Sequence, residues 1–367
     1  MPRIEHRTAG VHLLLAVLAW CVLRVELQGA PAQSSAPANN QASVLMVRGL
    51  DLAAHGQLAQ AESVLEQARI AAPGDVDVLT ALAKVKGRIG EMPEAISIFR
   101  AVAAKSPRSA DAHLNLAMAL ADNGDLQGAL VEASRAADLS PKLALAHLNR
   151  ARILADLHRL DEARAEFAIA ERLEPSNADC YFYWALVEKE NENYAAESDL
   201  LRKAIRVQPR NEKALNLLGE SLLNQSKVTE SIAVWRRLLT IDPDSSEATY
   251  SLSQALRATD PEESKRLLAR YHALQERKKQ LDRVQSLGNQ AYEAMNKRNW
   301  PEAITALREA IGLCEDCKEQ AHLHKDLGLA LCNSGDLPGG AAELHVALRL
   351  DPADRDTLTA LKMLSHP

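Results

Sequence analysis

Residues Ala110–Leu143 read ADAHLNLAMALADNGDLQGALVEASRAADLSPKL, and the spacing inside this stretch organises the rest of the chain. Leu116, Ala117 and Leu120 precede Gly124-Asp125-Leu126, and Ala129, Ala133 and Ala136 follow before Pro141. Pro141 has counterparts at Pro73, Pro107, Pro175, Pro209 and Pro243, each 34 residues from the next. A constant interval of this kind means a repeat array, in which each unit packs only on its neighbours.

With the proline at position 32 of each unit, the repeats run 42–75, 76–109, 110–143, 144–177, 178–211 and 212–245. Bulky, small and bulky residues, then small ones, then a proline: the pattern resembles the tetratricopeptide repeat, a helix–turn–helix of this period. The resemblance covers roughly 42–354 apart from one linker helix, and points to the exported bacterial type. It implies an all-α, right-handed α-solenoid of about nine two-helix units. The small positions have a physical reason, since two helices cross closely only where one side chain is small and a large one fills the hole beside it. In the first unit Gly49, Ala61 and Ala68 are the small residues, with Leu45, Leu52 and Leu65 the large ones. Gly56, Gly90 and Gly124 fall between the two helices, where a positive φ ends the first. The prolines lie past the second helix, and Ser109, Asn177 and Ser245 stand where they cap the next. Glu197 and Ser231 occupy positions where alanine is expected and read as drift at a tolerant junction. Tyr181, Phe182, Tyr183 and Trp184 are consecutive, and adjacent residues of a helix cannot all face the core.

A seventh unit starts at Ser246 and loses its glycine turn. Thr259-Asp260-Pro261-Glu262-Glu263 reads as a helix start, with no breaker until Gly288. Leu267, Tyr271, Leu274, Leu281 and Val284 stripe this helix opposite Arg277, Lys278 and Lys279, too short a pattern to specify a dimerising coiled coil. The expected organisation is a first block at 42–258, a connecting helix at 259–283 and a second block at 284–354. The second block comprises units at 284–317 and 321–354, and residues 355–367 form a capping helix over the apolar end of the stack.

The first residues lie outside the array. Arg3 and Arg7 precede the apolar run Val11–Leu23, and Ala30-Pro31-Ala32 offers small residues before a cut at Gln33. A run of thirteen residues suits a secretory signal better than a membrane span. Residues 1–32 are therefore expected to be a cleaved signal and 33–41 a disordered spacer, with export to the periplasm or beyond. An uncleaved anchor at 11–23 is the alternative, and Arg24 and Glu26 between the core and the cut site favour it. Cys21 follows Trp20 rather than a small residue and reads as part of the apolar run, not a lipid site. The formal net charge of −6 leaves no basic excess for a phosphate-binding surface, which argues against a nucleic-acid partner.

Once the units are assigned, no stretch is left for a catalytic domain, and the chain holds no glycine-rich phosphate loop, GxSxG elbow or HExxH. No enzyme activity, cofactor or metal is expected. Cys314-Glu315-Asp316-Cys317 replaces a proline junction. A disulfide closing this loop is the reading an exported protein favours, with free thiols next. A metal site with His322 and His324 has suitable ligand types, but two helical residues two apart point in different directions. Cys180 and Cys332 sit in helices as small hydrophobes.

Function is therefore expected on the surface. In the family resembled, the first helices line a concave groove that holds an extended peptide or a partner helix. The matching positions supply Lys84, Arg88, Asn115, Met118, Asn149, Arg152, Phe182, Tyr183, Leu186, Asn216, Glu220, Tyr250 and Gln254. Asparagines pair with peptide amides, and aromatics offer stacking and apolar contact. Asn115 and Asn149 match part of the clamp by which chaperone adaptors grip a terminal aspartate, but the flanking basic residues are missing. The expected function is a non-catalytic scaffold for protein or peptide partners. The rivals are a membrane-tethered component of envelope assembly or secretion, and a polysaccharide-binding module in which Phe182, Tyr183 and Tyr250 form an open stacking platform.

Overall fold

The computed structural model describes residues 38–314 and 317–365. The expected signal, the run 11–23 with Cys21, and residues 33–37 of the spacer lie outside them. The described residues form two compact units, one ending at Lys265 and the other beginning at Arg266. All regular structure among them is helical.

The N-terminal unit is a run of helical hairpins: α1 (Ala38–Ala54) with α2 (Leu58–Ala71), α3 (Val76–Ile89) with α4 (Met92–Lys105), and α5 (Ala110–Asp122) with α6 (Leu126–Leu139). There follow α7 (Ala144–Asp156) with α8 (Leu160–Leu173), α9 (Ala178–Glu190) with α10 (Tyr194–Val207), and α11 (Glu212–Asn224) with α12 (Val228–Ile241). A seventh pair starts with α13 (Ser246–Leu256). Helix α1 begins inside the stretch read as a spacer: residues 38–41 are helical, one turn ahead of Ala42, which is wholly buried with Ala68 and Val78.

Each hairpin closes through its eighth and twenty-fourth residues. Ala151 shares a core with Phe167, Gly219 meets Trp235, and Ala185 and Leu201 hold the same positions of their unit; all six residues are buried. Where the small residue is glycine there is no spare volume: a Cβ on Gly49 would lie 2.6 Å from Leu65 Cγ, and one on Gly219 would overlap the Trp235 ring.

The first helices end by a left-handed residue and a backbone bond that spans the turn. Asp125 N donates to Leu120 O at 2.9 Å beside Gly124, whose φ is 85°. The same closure recurs without glycine at His158, Glu192, Ser226 and Arg298, with φ between 56° and 60°. Lys227 N, for example, donates to Leu222 O at 2.8 Å. The bond therefore holds the turn even where a side chain makes positive φ costly. The first helices of later units are capped as expected: Ser109 accepts from Ala112 N, Asn177 from Cys180 N and Ser245 from Ala248 N.

Neighbouring units are also joined by a polar link. His113 Nε2 lies 3.2 Å from Pro107 O and its Nδ1 lies 2.6 Å from Glu132 Oε2. One unit on, His147 Nε2 lies 3.1 Å from Pro141 O and Nδ1 lies 2.7 Å from Glu166. In the next unit Tyr181 does the carbonyl half alone, its hydroxyl donating to Pro175 O at 2.9 Å.

Glu197 is only 1% exposed, and neither carboxylate oxygen has a hydrogen-bond partner among the described residues. Burial pushes its carboxyl above the ordinary value, with Ser221 and Lys189 opposing. At neutral pH ionising this group therefore costs the folded state, and the cost fades as pH falls through the folded value to the unfolded one. Glu197→Met keeps the volume and removes the polar atoms. It is expected to stabilise the unit by about 1–3 kcal/mol at pH 7. The gain should shrink near pH 4, as read by urea unfolding of both proteins across pH. A gain that does not change with pH counts against the buried charge.

Helix α14 (Pro261–Asn296) runs without a break through Gly288, so the connecting segment and the first helix of the following unit are one helix. From Arg266 onward it belongs to the C-terminal unit, with α15 (Trp300–Leu313), α16 (Gln320–Ser334), α17 (Leu337–Leu350) and α18 (Arg355–Ser365). Val284, Leu287 and Ala291 of α14 share a core with Ala303 and Leu307 of α15 and with Leu327 and Leu331 of α16. His324 and Glu343 repeat the histidine–glutamate contact at 2.6 Å. Helix α18 packs on α17 and buries Thr357, while Lys325 pairs with Asp354 at 3.1 Å just ahead of it.

Candidate partner-binding face

Within the N-terminal unit, successive first helices pack on one another: α1 on α3, α5 on α7, α7 on α9 and α11 on α13. No successive pair of second helices among the described residues packs as closely. The first-helix side is therefore the inner side of the curve, and all thirteen groove candidates stand on first helices.

Their surroundings differ. Lys84 and Gln254 are exposed, and Asn115 is half-buried. Met118, Leu186 and Tyr250, on the alternate first helices α5, α9 and α13, are 44%, 38% and 43% exposed, high for apolar or aromatic side chains. Arg88 is partly committed, since its Nη1 donates to Ala53 O at 3.0 Å across the first junction.

The structure gathers one cluster at the junction of α7 and α9. The Arg152 guanidinium lies 4.2 Å from the centre of the Tyr183 ring, and Phe182 meets Tyr183 edge-on at 5.7 Å and 77°. Asn149 lies within the same turns of α7, is 4% exposed, and its Nδ2 has no partner among the described residues. A second cluster joins α9 to α11. Lys189 Nζ pairs with Glu220 at 2.8 Å, and Asn216 donates to Glu220 at 3.2 Å while accepting from Trp235 Nε1 at 3.0 Å. Asn216 and Glu220 are thus largely occupied from within. Of the four consecutive aromatics Tyr181 is buried and the other three are half-buried, as a helix requires.

Asp156, Lys189 and Glu190 stand on the same face and were not singled out from the sequence, although the twelfth and thirteenth positions contain them. Burial raises the Asp156 carboxyl, Glu190 adding to the effect and Arg152 opposing it. His158 Nδ1 holds Glu190 at 2.6 Å.

In the C-terminal unit Cys314 and Cys317 are bonded through their sulfurs, with Cα atoms 5.3 Å apart and Cys314 buried at the end of α15. Cys180 is buried and its thiol is pushed up to about 12 by burial; Cys332 is half-buried and also raised by burial. Neither is a ready nucleophile. Alkylation of the denatured, unreduced protein is expected to label Cys180 and Cys332 and to spare Cys314 and Cys317. Peptide mapping that finds both of the latter labelled removes the cross-link. No group of histidine, cysteine and carboxylate side chains among the described residues is arranged to hold a metal ion.

The sequence profile of the family described as tetratricopeptide repeat matches residues 80–144, 182–246 and 289–355. A comparison with curated protein sequences finds no match. Among solved structures, the Pseudomonas aeruginosa protein pilF is 18% identical and superposes with a TM-score of 0.50, over 60% of this chain and 98% of its own. A tetratricopeptide repeat protein from Parabacteroides merdae is 15% identical with a TM-score of 0.48, over 80% of this chain and 99% of its own. A thermophilic TPR protein of Thermus thermophilus is 23% identical with a TM-score of 0.45, over 50% of this chain and 99% of its own. At these identities the likeness is one of fold.

Proposed function

This chain belongs to the tetratricopeptide repeat family, and we propose that it is a non-catalytic scaffold whose N-terminal unit holds an extended peptide or a partner helix along the first-helix face. The observation that carries this reading is a row on alternate first helices: Met118 of α5, Leu186 of α9 and Tyr250 of α13 are exposed apolar or aromatic side chains, with the Arg152–Tyr183 pair bridging α7 and α9. Such a row offers apolar anchors inside a polar rim, the composition of a protein interface. An extended sugar-stacking platform fits less well, because Phe182 and Tyr183 meet edge to face and Arg152 covers one face of Tyr183.

The compartment is part of the proposal. The run Val11–Leu23 and the small residues 30–32 support export with cleavage before Gln33, and retention of the run supports a tethered assembly component instead. No helix among the described residues is long and apolar enough to cross a membrane. Mass measurement of the expressed protein decides: a chain starting at Gln33 supports the exported scaffold, and an intact Met1 the tether. Partner binding is tested by pull-down from the exported fraction with wild type and with Lys84→Glu/Arg88→Glu/Arg152→Glu. A defined partner retained by wild type and lost by the variant is expected. Equal retention by both would move the binding face elsewhere.

A further inference from the structure

On the other side of the same hairpins, the second helices α4 and α6 flank α5, and the seam between them opens into a cleft of about 460 Å³. Its floor is apolar, formed by Leu116 and Leu120 of α5, with Val131 of α6 left 64% exposed at the mouth. Arg100 stands on the α4 wall and Arg135 on the α6 wall, both exposed and neither in an ion pair among the described residues. The carboxylates of the lining are already engaged: Asp125 accepts from Gly128 N at 2.9 Å, and Glu132 meets His113 at 2.6 Å. The cleft therefore presents two guanidinium groups free of ion pairs among the described residues over an apolar floor, with its two carboxylates held at Gly128 and His113.

Comparison of the repeats explains why this seam is open. In the seam before it, Lys86 takes the place of Leu120 and pairs with Glu62 at 2.7 Å and with Glu91. In the seam after it, Arg150 takes the place of Leu116 and reaches Glu166 at 3.5 Å. Gly128 has no side chain where Glu94, Glu162 and Glu230 stand in sister units. The ion pairs seen in the neighbouring seams are missing from this one; Arg202, the sister of Arg100, pairs with Glu230 at 2.9 Å, and Arg100 has lost that carboxylate to Gly128.

We propose that this cleft is a second peptide site, independent of the first-helix face, which takes a leucine-sized residue bracketed by carboxylates. The volume suits one such side chain with its flanking backbone. Guanidinium groups on opposite walls suit carboxylates on either side of it, because arginine binds carboxylate through two parallel hydrogen bonds.

The test is fluorescence anisotropy of the full chain with a fluorescein-labelled heptapeptide whose central leucine sits between two aspartates. Saturable binding that weakens with added salt is expected. Arg100→Glu/Arg135→Glu, two exposed positions, should weaken it at least about tenfold with the circular dichroism melt unchanged. Gly128→Glu, which restores the side chain of the sister units, should also weaken it. Lys84→Glu/Arg88→Glu/Arg152→Glu should bind as wild type does. The proposal is overturned if wild type shows no saturable binding, or if the Arg100/Arg135 variant binds equally well. It is also overturned if only the first-helix variant loses the peptide. The pull-down above reports on that other face separately, so either reading can fail alone.

Discussion

Gly219→Ala is expected to destabilise the N-terminal unit by about 2–3 kcal/mol, although alanine is the better helix former by about 1 kcal/mol. The sign is decided by Trp235. A Cβ on Gly219 overlaps the indole, which is 1% exposed and pinned by its hydrogen bond to Asn216 at 3.0 Å, so the ring has no direction in which to withdraw. The preceding unit shows the repair, because there the equivalent positions hold Ala185 and Leu201 and both are wholly buried. Trp235→Leu alone should cost about 2–4 kcal/mol through the cavity it leaves. The double variant Gly219→Ala/Trp235→Leu should be more stable than the sum of the single changes requires, a positive coupling in a double-mutant cycle. Urea unfolding measures all four proteins. A Gly219→Ala chain as stable as wild type would mean that the two helices cross less closely than described.

His147→Ala should cost about 3 kcal/mol. The side chain is 7% exposed and serves two acceptors, the Pro141 carbonyl and the buried Glu166 carboxylate, itself 8% exposed. Its loss leaves Glu166 with Arg150 alone, at 3.5 Å. A buried carboxylate left with one weakened partner is the dominant penalty, larger than the lost packing of the ring. The next unit again supplies the control. Tyr181 reaches the Pro175 carbonyl without any carboxylate, and Leu200 stands where Glu166 would be. His147→Tyr should therefore recover only part of the loss, and His147→Tyr/Glu166→Leu most of it. A His147→Ala chain that unfolds at the wild-type urea midpoint would show that the link contributes nothing.

Much of this architecture is legible in the sequence because its causes are local. The proline interval, the small residues at the crossings and the capping residues each act through their own backbone or one neighbour. Gly56, Gly90 and Gly124 announce their turns for the same reason. The turns at His158, Glu192, Ser226 and Arg298 do not, because a backbone bond spanning the turn stabilises them and any side chain tolerates that bond at some cost. The histidine–glutamate link was readable in principle: His113, His147 and His324 each precede a glutamate by nineteen residues. Glu197 was read as drift, yet burial without a partner makes it a local fault in the packing. On the candidate face, periodicity placed each residue on its helix and could not tell which were spent. Lys189 claims Glu220 and Trp235 claims Asn216, contacts that depend on side-chain reach rather than on interval.

The bond from the fourth residue of a unit to the proline carbonyl of the unit before it has a consequence for how such a chain changes length. Its acceptor is main chain, the same whatever side chains its owner carries, so the joint does not depend on which hairpin comes upstream. Excision or duplication of one 34-residue segment would present His113, His147 or Tyr181 with an equivalent oxygen at the new border. Growth and shrinkage by whole modules thus leave this donor an acceptor, and at this joint a lineage can alter its span without first inventing a new contact.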